Sequence, residues 1–199
     1  MQPKLLNLTN KIISSIPSYM ASLFSRLFNK KTGDMAPEPT PVTTFAESKP
    51  VSATAQEEAE YPEEQFSVVH AEIDGRSVIG SVNKGYVGYA KKAQYPWRLH
   101  IGIALDENNI GEDGLGGYEE NTIAYKVEDE LLDGIRKTGT AHFIGHMFND
   151  GYLDVYVYIA DPEAVHQYLQ QQTNREDLLR GFGYEIGKDP TWNEVAGFL

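Results

Sequence analysis

The stretch TAHFIGHMFNDGYLDVYVYI, residues 140–159, reads as two β-strands meeting at a turn. β-Branched and aromatic residues dominate it, and Asn149, Asp150 and Gly151 interrupt it. Upstream, Ile123, Val127, Leu131 and Ile135 recur at helical spacing, with Ala124 and Leu132 beside them and Gly139 as a stop. That spacing predicts a helix over 118–137. Before it, Leu99, Ile101, Ile103 and Leu105 alternate over 97–105, the period of a strand. Downstream of the hairpin, Asp161, Pro162 and Glu163 supply a capping oxygen, a proline at the first position and an acid at the positive helix end. Val165, Tyr168 and Leu169 form the apolar side of that second helix, and a last strand covers 182–187. The order is strand, helix, strand, strand, helix, strand. It predicts an α+β, ferredoxin-like βαββαβ domain. Two short strands, 66–73 and 77–83, joined through Asp74 and Gly75, add an N-terminal β-hairpin.

The rest of the chain divides by composition. Residues 1–30 carry an amphipathic basic stripe: Leu5, Leu8, Ile12, Ile16, Tyr19, Leu23 and Leu27, widened by Met20, Phe24 and Phe28. This predicts a helix, bent near Pro17. Residues 1–31 hold five bases and no acid, so an anionic membrane surface is one expected contact, through Leu23, Phe24, Leu27 and Phe28. Docking on the domain or on a partner is the other. Residues 31–65 are rich in Pro and Glu with few large apolar groups, which predicts a disordered linker. Residues 66–199 form the domain.

Charge and residue usage exclude several functions. The chain has a net charge of −12, and residues 66–199 carry 21 acids against 11 bases. Such a surface repels nucleic acid, whose binding rests on cations displacing counterions. It suits a basic protein partner. The absence of cysteine removes disulfides, thiol catalysis and cysteine-ligated zinc. No run of about 18 apolar residues occurs, and Ser14, Ser15, Pro17 and Arg26 break the segment a signal peptide would need. The expected location is the cytoplasm, with peripheral contact at the inner face of the membrane through residues 1–31.

Several stretches together resemble a known family. They are the 67–83 hairpin ending in Asn83, the run YPWRL at 95–99, the acidic Gly-Leu-Gly turn leading into IAYKVEDEL at 123–131, and HFIG at 142–145. VYVY at 155–158 followed by Asp161 and Pro162, and DPTW at 189–192, complete the set. The pattern resembles the bacterial "domain of unknown function 695" family over about residues 66–199. It also has a weaker similarity to the ribonuclease E inhibitor B family, which implies regulation by binding. The first family has no established catalytic residues to carry over.

The turn sets which side chains share a face. A three-residue loop, 149–151, pairs Phe148 with Tyr152, His146 with Asp154, Ile144 with Tyr156 and His142 with Tyr158. Ala141, Phe143 and Met147 then face the helices. A two-residue loop slips the register by one and puts both histidines among valines, which costs buried polar groups. On the first register, Arg98, His100, His142, Ile144, His146, Tyr152, Asp154, Tyr156 and Tyr158 form a candidate binding face. The competing reading is that the hairpin, the tail or another subunit covers this face. His142 and His146 lie about 13 Å apart along a strand at ~3.3 Å per residue, so they predict no shared metal. The acids of 106–120 fail as a calcium loop at Ile110 and Gly117, and read as a solvated loop. Residues 183–189 fail as a phosphate-binding loop, and no nucleophile-elbow motif is present. No cofactor is expected.

These observations favour a non-enzymatic protein-binding or regulatory module tethered through its N-terminal helix. The alternatives are an inhibitor or immunity-type protein whose acidic surface blocks a nuclease or toxin, and a hydrolase using a His/Asp/Tyr face.

Overall fold

The computed structural model describes residues 11–14, 60–73 and 75–199. Its strands are β1 (Lys11–Ser14), β2 (Phe66–Ile73), β3 (Arg76–Asn83), β4 (Trp97–Ala104), β5 (Ala141–Asn149), β6 (Tyr152–Ile159) and β7 (Phe182–Lys188). Its α-helices are α1 (Tyr118–Thr138) and α2 (Pro162–Gln172). Over residues 66–199, the element order expected from the sequence is the order found. β2 to β7 form one antiparallel sheet in the order β7-β4-β6-β5-β3-β2, and β1 pairs along the outer side of β7. The linker and nearly all of the N-terminal helix expected over 1–30 lie outside the described residues. Within that stretch, the backbone of β1 is extended.

α2 begins as its sequence requires. The Asp161 carboxylate accepts from the backbone N–H groups of Glu163 and Ala164 at 2.9 and 3.3 Å. Where α1 and α2 meet, Gly134 makes room for Tyr168, since a Cβ at residue 134 would fall 1.9 Å from the phenol oxygen. Both helices cover one face of the sheet. Leu99, Ile101, Ile103, Leu153, Val155, Val157 and Ile186 meet Val127, Leu131, Ile135, Val165 and Leu169 there.

The β5–β6 hairpin departs from the expected register, for an identifiable reason. Asn149 pairs with Tyr152, so the loop has two residues. Asp150 and Gly151 have φ of 45° and 82°, the positive values a tight hairpin turn demands. The ladder is therefore offset by one near the turn: Phe148 faces Leu153, Met147 faces Asp154 and His146 faces Val155. A β-bulge between Phe143 and Gly145 removes the offset, and His142 pairs with Tyr158 as expected. His146 and Phe148 thus belong to the helix side and Met147 to the opposite side, correcting the sequence-based assignment of all three. His142 and Ile144 keep their expected side. The two-residue turn does not bring both histidines among the valines, because the extra residue intervenes between them.

The bulge depends on glycine. Gly145 has φ of +155°, and a Cβ there would lie 2.2 Å from the Ser81 carbonyl oxygen. Gly145→Ala should therefore lower the unfolding free energy by about 2 kcal/mol or more. Urea denaturation checks this; a loss within about 0.5 kcal/mol, the usual scale of a neutral surface change, would mean that the bulge is not required.

Candidate functional site

The candidate face read from the sequence is an interior. Two segments of the same chain close it. One follows β3 and contains Lys84–Tyr86 and Ala90–Gln94 as 3₁₀ turns. The other is the C-terminal segment after β7. Together they bury Tyr86, Tyr89, Tyr95, Trp192, Val195 and Phe198 against Val78, Val82, Ile144, Met147, Tyr156 and Tyr158. The sheet thus has a packed core on each face.

The closure is held by the YPW and DPTW runs. The Trp192 indole stacks on Tyr158, with ring centroids 4.2 Å apart, and its N–H donates to the Tyr95 carbonyl at 3.0 Å. The Tyr158 hydroxyl donates to Asp189 at 2.5 Å. Asp189 also accepts from the backbone N–H groups of Asn193 and Glu194 at 3.0 and 2.9 Å. These resemblance-bearing residues act as a staple between the end of the chain and the start of β4.

Most polar groups of that face are paired inside it; the buried His142 Nε2 is an exception. His100 Nε2 lies 2.9 Å from Asp154 Oδ1, and the imidazole stacks on Tyr156 with ring planes 1° apart. Asp154 is therefore the partner of His100, where the expected register had given it to His146. Arg98 donates to Glu185 at 2.9 Å. Tyr152 is half-buried at the hairpin end. His142 is fully buried among Tyr61, Tyr86, Tyr89, Tyr95 and Trp192, with Nδ1 3.2 Å from the Tyr86 hydroxyl. Tyr95 donates to the Glu60 carboxylate and Tyr89 to the Glu60 carbonyl, so residues 60 and 61 strap this aromatic pocket. Burial pushes the His142 imidazole down to about 4.

Glu107, Glu112, Asp113 and Glu119 are exposed, as a solvated loop requires, and Glu120, in the first turn of α1, is the exception. The side chain of Glu120 is buried and accepts two bonds from the Arg180 guanidinium, both at 2.6 Å. It also accepts from the Asp106 backbone N–H and the Asn109 amide, both at 2.9 Å. The Arg180 bonds above all hold its carboxyl down to about 2. Glu120 therefore joins the loop to α1 and the approach to β7. Among the described residues, no three His, Asp or Glu side chains are placed to share a metal ion.

The accessible chemistry lies on the helix side, past the edge of α1. The helices leave the β3–β2 extension uncovered there. Phe66 and Val68 are 48% and 70% exposed, and Tyr125 is 37% exposed. Phe66 packs near Phe143, with ring centroids 6.1 Å apart. Between Tyr125 and Phe143 stands His146, whose Nδ1 meets the buried Glu128 carboxylate at 2.8 Å. Its Nε2 lies 3.2 Å from the Ser81 hydroxyl. Of these groups, only His146 was among the sequence-read site residues. Glu128 had left a signal: it is an acid within the apolar stripe of α1, between Val127 and Leu131. Ser81 had left none, because only the β3–β5 pairing brings it opposite His146.

A family model described as "Family of unknown function (DUF695)" matches residues 64–199. The chain belongs to this family. Comparisons with curated proteins and with solved structures returned no match. Among the described residues, no helix is long and apolar enough to cross a membrane.

Burial of His142 gives a pH signature. An unfolded chain binds a proton at residue 142 below about pH 6.5, whereas the folded chain resists it until about pH 4. Stability should therefore fall as pH is lowered through that window. Glu120 acts lower down: its stabilisation is present above its ordinary value of 4.5 and is lost as pH falls towards about 2. Urea titrations between pH 7 and pH 4 should show a slope that His142→Gln reduces. An unchanged slope in that variant would contradict a buried neutral imidazole.

Proposed function

We propose that this chain is a protein-binding module built on a ferredoxin-like unit, and that it takes a partner segment as an added strand along β2. The observation that carries this reading is the difference between the two edges of the sheet. The β7 edge is paired with Lys11–Ser14. The β2 edge has β3 on one side and no strand on the other among the described residues. An eight-residue edge with exposed Phe66 and Val68 is a template for backbone pairing, and natural sheets usually blunt or cover such an edge. The net charge of −12 favours a segment in which Lys or Arg alternates with apolar residues. A basic nuclease or toxin has this chemistry, so the inhibitor reading is one form of the same proposal. The tethering role of residues 1–31, on lipid or on protein, rests on their apolar stripe and five bases.

The family description names no activity, so the test must work without a known partner. A displayed library of random peptides panned on the full chain should enrich sequences alternating apolar with basic residues. Their affinity should fall at least tenfold in the double variant Phe66→Lys, Val68→Lys, which changes only exposed positions. Failure to enrich such peptides, or equal binding to the double variant, would overturn the β2 assignment.

A further inference from the structure

Three side chains from three elements form a relay on the helix side of the sheet. Ser81 lies on β3, His146 opposite it on β5, and Glu128 on α1. His146 Nδ1 is 2.8 and 2.9 Å from the two oxygens of Glu128. A nitrogen facing a carboxylate carries the proton, which in neutral imidazole leaves Nε2 as the acceptor. Nε2 is the atom 3.2 Å from Ser81 Oγ. A cross-strand Ser–His hydrogen bond would need no carboxylate. Yet Glu128, with a side chain 4% exposed, sits where α1 otherwise buries Ala124, Val127, Leu131 and Leu132. An acid at a core position is costly unless it is paired, and its pairing fixes both the tautomer and the orientation of the imidazole.

The geometry points to a nucleophilic acyl-transfer centre, with Ser81 as nucleophile, His146 as general base and Glu128 as a positioning residue, acting on small esters or thioesters with an apolar acyl group. This goes beyond the binding reading and does not rest on it. The connectivity of nucleophile, base and orienter is that of acyl-transfer enzymes in general. The apolar acyl preference follows from the walls: the Tyr125 and Phe143 rings lie 5.1 and 5.8 Å from the imidazole, and Phe66 extends the surface beyond Phe143. In the first step the Ser81 proton passes to Nε2 as an Oγ–C bond forms at the acyl carbon. The carbonyl electron pair moves onto its oxygen. Collapse of that intermediate breaks the bond to the alcohol or thiol, which leaves with the proton from Nε2. Water, deprotonated by the same nitrogen, then releases the acid and restores Ser81. Burial, and after it the Glu128 charge, raise the Tyr125 phenol above its ordinary value.

The test is treatment of the full chain with an alkyl fluorophosphonate, followed by peptide mass mapping. Phosphonylation should fall on Ser81 and be absent in Ser81→Ala. It should slow at least a hundredfold in His146→Gln and about tenfold in Glu128→Gln. Glu128→Asp, which keeps the carboxylate facing Nδ1, should recover part of the rate that Glu128→Gln loses. Thermal unfolding of each variant separates lost reactivity from lost fold. An unlabelled Ser81 in the unmodified chain, or equal labelling in a folded His146→Gln, would overturn the proposal. No recovery in a folded Glu128→Asp would overturn the positioning role of Glu128.

Discussion

The pairing of β5 with β6 is the constraint on which the rest of the structure depends. A strand has a two-residue period, so one added residue transfers everything beyond it to the other face. The tight turn at Asp150 and Gly151 imposes one register, and the bulge before Gly145 restores the other. Between these two points the side chains of β5 are redistributed. Phe148 enters the helix-side core and Met147 the opposite core. The two histidines of a single strand end on opposite faces, His142 in an aromatic pocket and His146 beside the carboxylate of α1.

Each face is then closed by a different device. On one side, two amphipathic helices cover the sheet. On the other, the end of the chain folds back and is held by Trp192, Asp189 and the Tyr95 carbonyl. Burying a large aromatic on both faces gives a domain of this size ample apolar area without disulfides. Among the described residues, the sheet is left uncovered at the outer edge of β2 and in the strip between that edge and α1. Both functional proposals rest there, because it is where apolar surface and polar chemistry meet solvent.

Much of the fold was legible in the sequence. Alternation located the strands of the βαββαβ unit, Asp161 and Pro162 marked the start of α2, and Leu99, Ile101 and Ile103 were assigned to their observed face. The bulge was not legible, since nothing in HFIG distinguishes a regular strand from one with an extra residue until the clash at Gly145 with β3 is known. That the second face is covered was one of the two readings, but the segments that cover it were not legible. The contributors, Tyr86, Tyr89 and Trp192, lie in short irregular segments without periodicity. Glu120 and Glu128 were readable in principle as acids near the inward side of α1, but their partners, Arg180 and His146, come from distant elements. Composition alone therefore read Glu120 as solvated, and the three-residue turn put His146 on the wrong side of the sheet.

The placement of the two histidines is open to direct observation. Nuclear Overhauser effects from the imidazole protons in solution would trace each ring to its neighbours. The structure requires the His146 ring to contact Tyr125, Phe143 and Ser81, and the His142 ring to contact Tyr86, Tyr95 and Trp192. Contacts from His146 to Asp154 and Tyr156 would instead establish the three-residue turn, remove the bulge and contradict the account.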